Sequence, residues 1–496
     1  MRLFPSLQFN PGVFLNSTLP PVREISNVVM DQPYQIVSAE KITDMGNMWG
    51  QFLIHNMAFS KPDPNYPMPI PVPKCDAYFD PRCTGNMTMP YFRTGFTKVS
   101  CTKTTSTRQS DGFCYEQINT MSSYIDANPV YGTTKDTADL LRSFDKGKMI
   151  VDHGPNGDMP PRGISGVTID NDARRYPTDQ LFSVGERRGN ENPGLTSIHV
   201  VLLREHNRLA DKFGRLNPQW DDEAIFQQTR SCIIEQVQKI SYEEYLTTIL
   251  GEFPQYTGYD ENTDVSVSTE FTTAAFRFGH SEVGPNIEMV NRDGSFGKPL
   301  SIRDAYFNPT ALDNGIENVV RGLIYKQEAN VDIYIISELR NFLFGKPGQG
   351  GMDLGSRNLM RNRDHGMPSY NQMRRYMGLP AVNTWADISS DIEVQERLRF
   401  AYHGDIELVD AYVGGLAEDH MYKAAVGQTF YHLILDQFVR TRKGDRFWYE
   451  LPEIRKVNEQ CESTSFSKLI RRNTNDIGPL PKNVFLLASD SNPLEN

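Results

Sequence analysis

Beyond Asn128, apolar residues return at helical spacing in one segment after another, while strand-like alternation is scarce. This pattern argues for a mainly α fold. Predicted helices cover 196–213, 222–250 (closed by Gly251), 269–283 (stopped by Pro285), 390–400 and 424–440. Upstream, Ile42, Met45, Trp49 and Phe52 put a helix over 40–58. Prolines shape the rest of the N-terminal part. Pro11, Pro20, Pro21 and Pro33 discourage helix, so residues 1–35 are expected to be extended. Seven prolines between Lys61 and Pro81 (62, 64, 67, 69, 71, 73 and 81) predict a stiff, extended arm. There is no internal repeat, low-complexity segment or shift in composition. The 496 residues read as an extended segment over 1–35 and one large, mainly α domain over 36–490 with little β-structure.

Charge and cysteines narrow the class. Lys and Arg number 51 against 62 Asp and Glu, a net of -11. Nucleic-acid binders show a basic face, which makes this chain a poor candidate. Mean hydropathy is -0.49 and apolar runs such as Val200–Leu203 are short. A membrane-spanning helix needs about 20 mostly apolar residues, so none is encoded. Cys75, Cys83, Cys101 and Cys114 form no C-x-x-C pair, which argues against a zinc ribbon. They are expected to form local disulfides, with Cys75–Cys83 and Cys101–Cys114 favoured of the three possible pairings; the pairing of Cys232 and Cys461 stays open. The sequons Asn16-Ser17-Thr18 and Asn86-Met87-Thr88 agree with a secreted glycoprotein. Pro5, Asn10 and Pro11 would interrupt a signal core, so the reading is that a signal has been removed or that the sequence starts late.

Familiar catalytic signatures are missing. Gly348-Gln349-Gly350-Gly351 lacks the Gly-Lys-Ser/Thr of a phosphate loop, and neither H-E-x-x-H nor G-x-S-x-G occurs. Three other segments hold the polar chemistry. In Trp49-Gly50-Gln51-Phe52-Leu53-Ile54-His55-Asn56, Gln51 and His55 are four apart and share a helix face. In Phe276-Arg277-Phe278-Gly279-His280, the glycine lets another group approach the backbone beside a histidine. Asn358-Leu359-Met360-Arg361-Asn362-Arg363-Asp364-His365-Gly366 is a dense polar string expected in a loop. Each taken alone is as readily a packed core histidine or a salt-bridge cluster. Together they permit a haem protein.

These segments, with Leu195-Thr196-Ser197-Ile198-His199, Leu202 to Ala210, Ser123 to Gly132 and Gly444 to Glu450, resemble the animal-type haem peroxidases of the peroxidase–cyclooxygenase superfamily. The 70–81 arm is more similar to dual-oxidase-type and microbial members. The resemblance runs from about Arg23 to about Leu487 and implies haem b on His280 as proximal ligand, with Asn358 accepting a hydrogen bond from its other ring nitrogen. It implies that His55 takes a proton from peroxide and returns it to the leaving oxygen. Arg188 would supply fixed positive charge, Gln51 would hold a distal water or anion, and Arg277 and Arg361 would sit near the haem propionates. Ile54 and Asn192 replace residues that bond covalently to haem in mammalian relatives, leaving Glu191 for at most one ester. The family's calcium set falls on Asn56, Ser122, Tyr124 (carbonyl), Asp126 and Asn128, where Asn56 stands in place of a carboxylate and should weaken binding.

The implied activity is oxidation of iodide, thiocyanate, bromide or phenols by hydrogen peroxide. Two alternatives stand beside it, the second from another class. A fatty-acid dioxygenase of the superfamily would need a Tyr three residues before the proximal His, where this chain has Arg277. An adhesion protein of the peroxinectin kind would present Lys443-Gly444-Asp445 to an integrin. Oligomeric state is not legible.

Overall fold

A computed structural model of the protein describes residues 2–3, 19–101, 112–462 and 464–495. Pro5, Asn10, Pro11 and the Asn16-Ser17-Thr18 sequon lie outside the described residues. The expected mainly α architecture is present, and one contiguous apolar core runs from Val22 to Phe485. At its centre lies the helix Pro193–Leu216, started by the Asn192 side chain accepting from the Leu195 amide and by Pro193 in the first turn. Every residue from Pro193 to Leu203 is buried, as befits a helix enclosed on all sides. It packs against Asp222–Lys239 and against the helix Asp44–Met57. Among the described residues, the β-structure consists of two-stranded ladders. The proline-rich arm is extended as expected and pairs with 88–94, with Pro62 opposite Thr94 and Ile70 opposite Met89. None of the helices is long and apolar enough to cross a membrane.

Three local expectations are corrected. Residues Val22–Val29 form a helix rather than an extended chain. Pro20 and Pro21 fall just before its first turn, where proline does not interrupt a helix. Ile25 and Val29 are buried, and Arg23 pairs with Asp76 at 2.8 Å and Asp353 at 2.7 Å. The expected loop around Asn358 is instead the helix Leu354–Asp364, capped by Asp353 accepting from the Ser356 amide.

The third correction concerns 269–283, which is not one helix. Thr269–Thr273 ends at Ala274, and Ala275–His280 is a tighter 3₁₀ turn. Side chains take the carbonyls that would continue the α-helix. Arg277 Nε donates to the Thr272 carbonyl at 3.0 Å, and Asn362 Nδ2 to that of Thr273 at 2.6 Å.

Disulfides join Cys75 to Cys83 and Cys101 to Cys114 as expected, and a third joins Cys232 to Cys461. Asn86 is exposed.

Candidate active site

The break at Ala274 turns the chain so that His280 faces a cavity of 390 Å³. The same cavity is lined by Gln51, His55, Arg188, Glu191 and Asn192, so the segments singled out in the sequence meet around one space. Arg277, Asn358 and Arg361 line it beside His280. Burial and the adjacent Arg277 push the His280 imidazole down to about 3, so it is neutral and has a lone pair to offer.

The Asn358 amide is not oriented as expected. Arg277 Nη1 donates to Asn358 Oδ1 at 2.9 Å, because a guanidinium can only donate. The amide nitrogen is left 2.7 Å from His280 Nδ1, as a donor rather than an acceptor. It also donates to the Tyr412 hydroxyl at 3.1 Å.

The opposite wall is the helix Asp44–Met57, which places Asn47, Gln51 and His55 on one face at intervals of four. His55 is 4% exposed, and its Nδ1 has no hydrogen-bond partner. Burial, then the charges of Arg188 and His199, hold its ring well below the usual imidazole range. His55 is thus a neutral imidazole able to accept a proton. Arg188 is clamped by Glu186, with Nε at 2.6 Å and Nη2 at 3.1 Å from the two carboxylate oxygens, and Nη2 also reaches the His55 carbonyl at 3.3 Å. Asn192 caps the central helix with its oxygen and donates its amide nitrogen to Gln51 Oε1 at 2.9 Å. Gln51 is thereby fixed with its carbonyl turned to Asn192. Glu191 Oε2 stands 3.9 Å from His55 Nε2. Removal from water pushes this carboxyl up to about 7, against the pull of Arg188.

One end of the cavity is strongly cationic. Arg277, Arg357 and Arg361 all line it, and Arg361 alone of them has a carboxylate partner among the described residues, Asp364 at 3.0 Å. Asp364 is already shared with Arg93 at 2.7 Å. Burial and the neighbouring Arg361 lower Arg277 to about 10 and also lower Arg357. Buried cations without counter-charge are costly, so this end fits a ligand carrying more than one negative charge. A haem, with an iron site to offer His280 and two carboxylates for the arginines, satisfies both demands. Arg357 escaped the sequence reading. It stands one turn before Arg361, and treating that segment as a helix would have put the two on one face.

The five residues of the expected calcium set also come together. Asn56 Nδ2 donates to the Tyr124 carbonyl at 2.6 Å, and Asn128 Nδ2 to the Asn56 carbonyl and to Asp126 Oδ1, both at 2.8 Å. Ser122 Oγ accepts from the Tyr124 amide at 3.1 Å. The side-chain oxygens of Asn56 and Asn128 are buried and have no partner. No cluster of three or more His, Cys, Asp or Glu suited to a metal ion occurs among the described residues. The Lys443-Gly444-Asp445 tripeptide does not display its acid. Asp445 is 5% exposed and accepts from Gln238 at 3.0 Å and from the Phe447 amide at 2.8 Å.

Two histidines facing one cavity, a fixed arginine beside one and a cationic end beside the other define a haem-binding oxidoreductase. The family model of animal haem peroxidase matches residues 5–485, and the chain belongs to that family. It is 59% identical over 485 residues to Peroxinectin A of Dictyostelium discoideum, covering 98% of this chain and 91% of that protein. The solved structure of Peroxidase A from the same organism superposes with a TM-score of 0.96 at 59% identity, over 98% of this chain and 95% of that one. A fatty acid alpha-dioxygenase from Arabidopsis thaliana shares the fold alone, with a TM-score of 0.76 at 18% identity over 96% and 80% of the two chains. The protein is a haem peroxidase, an oxidoreductase that uses hydrogen peroxide.

Proposed function

We propose that this peroxidase oxidises small anions (iodide, thiocyanate and bromide) or phenols, with haem b held on His280 and peroxide handled by His55 and Arg188. The observation that carries the reading is the neutral, buried His55, whose Nε2 stands 3.9 Å from Glu191 in the cavity lining, on the wall opposite a neutral His280. Bound haem supplies the iron that exchanges electrons with peroxide and reductant. The chain's own residues manage protons and charge. His55 accepts a proton from the incoming peroxide and returns it to the departing oxygen, general base then general acid. Arg188 offers charge without rearrangement because Glu186 already holds it. Gln51 orients a distal water or anion through its amide nitrogen, its carbonyl being occupied by Asn192.

On the proximal side, an iron on Nε2 requires the ring proton on Nδ1, and Asn358 must then present its oxygen there. Arg277 would then exchange the neutral Asn358 oxygen for another acceptor, a part that a haem carboxylate would fill. Arg277, Arg361 and Arg357 are the residues for the two propionates.

Glu191 is the residue for a single ester to haem, since Ile54 and Asn192 cannot form the other links. Calcium is a weak ligand of Asn56, Ser122, Tyr124, Asp126 and Asn128, supported by the two orphaned amide oxygens. Three disulfides and the exposed Asn86 support secretion and glycosylation. The dioxygenase reading lacks its tyrosine, since Arg277 holds that place and hydrogen-bonds Asn358. Adhesion through Lys443-Gly444-Asp445 lacks an accessible carboxylate.

The test is a panel of reductants with peroxide. Iodide, thiocyanate and phenols should turn over far faster than chloride, because the sulfonium link that raises the oxidising power of haem in relatives has no counterpart at Asn192. Chloride oxidised as well as iodide would overturn the substrate class.

A further inference from the structure

We propose that Asn47 is a positioning residue that ties the helix carrying His55 to the segment carrying His280 and so holds the two walls of the cavity in register. This rests on the reading of His280 as the haem ligand. Asn47 lies two turns before His55 on the same face, about 12 Å along the axis at 1.5 Å per residue. Its amide nitrogen donates to the Gly279 carbonyl at 2.7 Å and to Glu282 Oε2 at 3.0 Å. The first bond grips the peptide unit that joins Gly279 to His280. The second holds the residue two places beyond. No other side chain of the distal helix has a hydrogen bond to this segment among the described residues.

The surroundings orient the amide. Glu282 and Glu328 face one another in the interior, and burial raises both carboxyls. The nearby ammonium of Lys326 is paired with Asp44 at 3.2 Å. The Gly279 carbonyl can only accept, so the amide presents its nitrogen there and not its oxygen.

Gly279 gives an independent sign of the contact. Its backbone needs no left-handed conformation, so glycine is there for space. A Cβ at 279 would stand 3.2 Å from Asn47 Nδ2 and 3.4 Å from Glu282 Oε2. Of the groups packed against this glycine, the Asn47 amide approaches most closely.

The experiment uses the haem-loaded enzyme and variants Asn47→Ala, Asn47→Ser, Gly279→Ala, the double variant Asn47→Ala with Gly279→Ala, and His280→Ala. Resonance Raman of the reduced protein reads the iron–imidazole stretch. Spectroelectrochemistry reads the reduction potential, and rapid mixing the rate of the peroxide reaction. Asn47→Ala should retain haem, shift and broaden the stretch, move the potential and slow the peroxide reaction. A displacement of about 1 Å costs up to about 10²-fold in such geometries. Asn47→Ser, which keeps a shorter donor, should recover part of each change. Gly279→Ala should be perturbed in the same observables, and the double variant should be less perturbed than the sum of the two, because the clash has lost its partner.

A stretch and potential unchanged in Asn47→Ala, or purely additive effects in the double variant, would overturn the proposal. If Asn47→Ala does not fold, the comparison of Gly279→Ala with Gly279→Ala, Asn47→Ser decides it on the same criterion. The stretch should vanish in His280→Ala. If it persists there, the ligand assignment fails, and the tie fails with it; if it vanishes there yet is unmoved in Asn47→Ala, the tie alone fails.

Discussion

The cavity between the two histidines and the site that the 122–128 segment forms with Asn56 both leave polar groups incompletely answered, but in different ways. In the cavity, the guanidinium groups of Arg277 and Arg357 have neutral hydrogen-bond acceptors but no carboxylate partner among the described residues. In the 122–128 site the unanswered groups are the neutral amide oxygens of Asn128 and of Asn56 from the helix Asp44–Met57, and the amide hydrogens are already placed on Tyr124, Asn56 and Asp126. A buried unpaired charge costs several kcal/mol, whereas an unsatisfied neutral group costs about 1–3 kcal/mol. The cavity is therefore built around a ligand. The loop tolerates doing without one.

The largest expected effect breaks the cavity at the proposed iron ligand. His280→Ala should lose the Soret band, or keep a haem that does not turn over. Normal haem content together with full activity in this variant would remove the basis for the cavity's side of the comparison.

Next in size is the distal wall. His55→Ala should bind haem normally and react with peroxide about 10²–10⁴-fold more slowly, the range of general acid–base catalysis. Stopped-flow spectra are the measurement. A rate equal to that of the parent would mean that another group moves the proton. Arg188→Ala should behave alike, since its charge is held in place by Glu186.

A smaller effect separates burial from chemistry at Glu191. Its carboxyl is raised from 4.5 to about 7 by removal from water. A carboxyl raised in the folded state favours folding below its unfolded value and loses that contribution as pH rises through the folded value. Between pH 4.5 and 7 the haem-free parent should therefore lose stability relative to Glu191→Gln, and the difference should level off above pH 7. Denaturation midpoints across that range measure it. A constant difference would show that the carboxyl is not desolvated. In the loaded enzyme the same variant should carry no ester after peroxide treatment, as read by acid–acetone extraction and peptide mass spectrometry.

Much of this was legible because short-range chemistry matched tertiary use. Gln51 and His55 share a helix face by spacing alone, and Gly279 signals a close approach to the backbone, where Asn47 donates to its carbonyl. What was illegible depended on distant side chains. The helix predicted over 269–283 fails because Arg277 and Asn362 take two of its carbonyls. The polar string at 358–366 read as loop, yet its charges are consumed by partners such as Asp410, 2.9 Å from Arg363, which lets the segment stay helical and buried. Prolines 20 and 21 were read as breakers when they stand at a helix start. Cys232 and Cys461 are 229 residues apart, and no local signal pairs them.

The smallest effect tests the loop. With one carboxylate, Asp126, among five oxygen donors, the site should hold calcium weakly, since ligand charge helps set affinity. Chelation should therefore leave the haem spectrum and the peroxide reaction of the parent almost unchanged. It should lower the thermal midpoint only slightly, because the loop keeps its internal hydrogen bonds when the cation leaves. Asn56→Asp sharpens the contrast. It removes the donor now placed on the Tyr124 carbonyl and sets two carboxylates around the same space. Without calcium this variant should be less stable than the parent, through repulsion between acids and an unanswered carbonyl. With calcium it should regain that loss and bind the ion more tightly. Calorimetric titration and melting curves, each with and without calcium, give both halves. Equal affinity in parent and variant would show that charge does not limit the site, and a parent that loses haem on chelation would show that the loop supports the cavity more strongly than its neutral contacts imply.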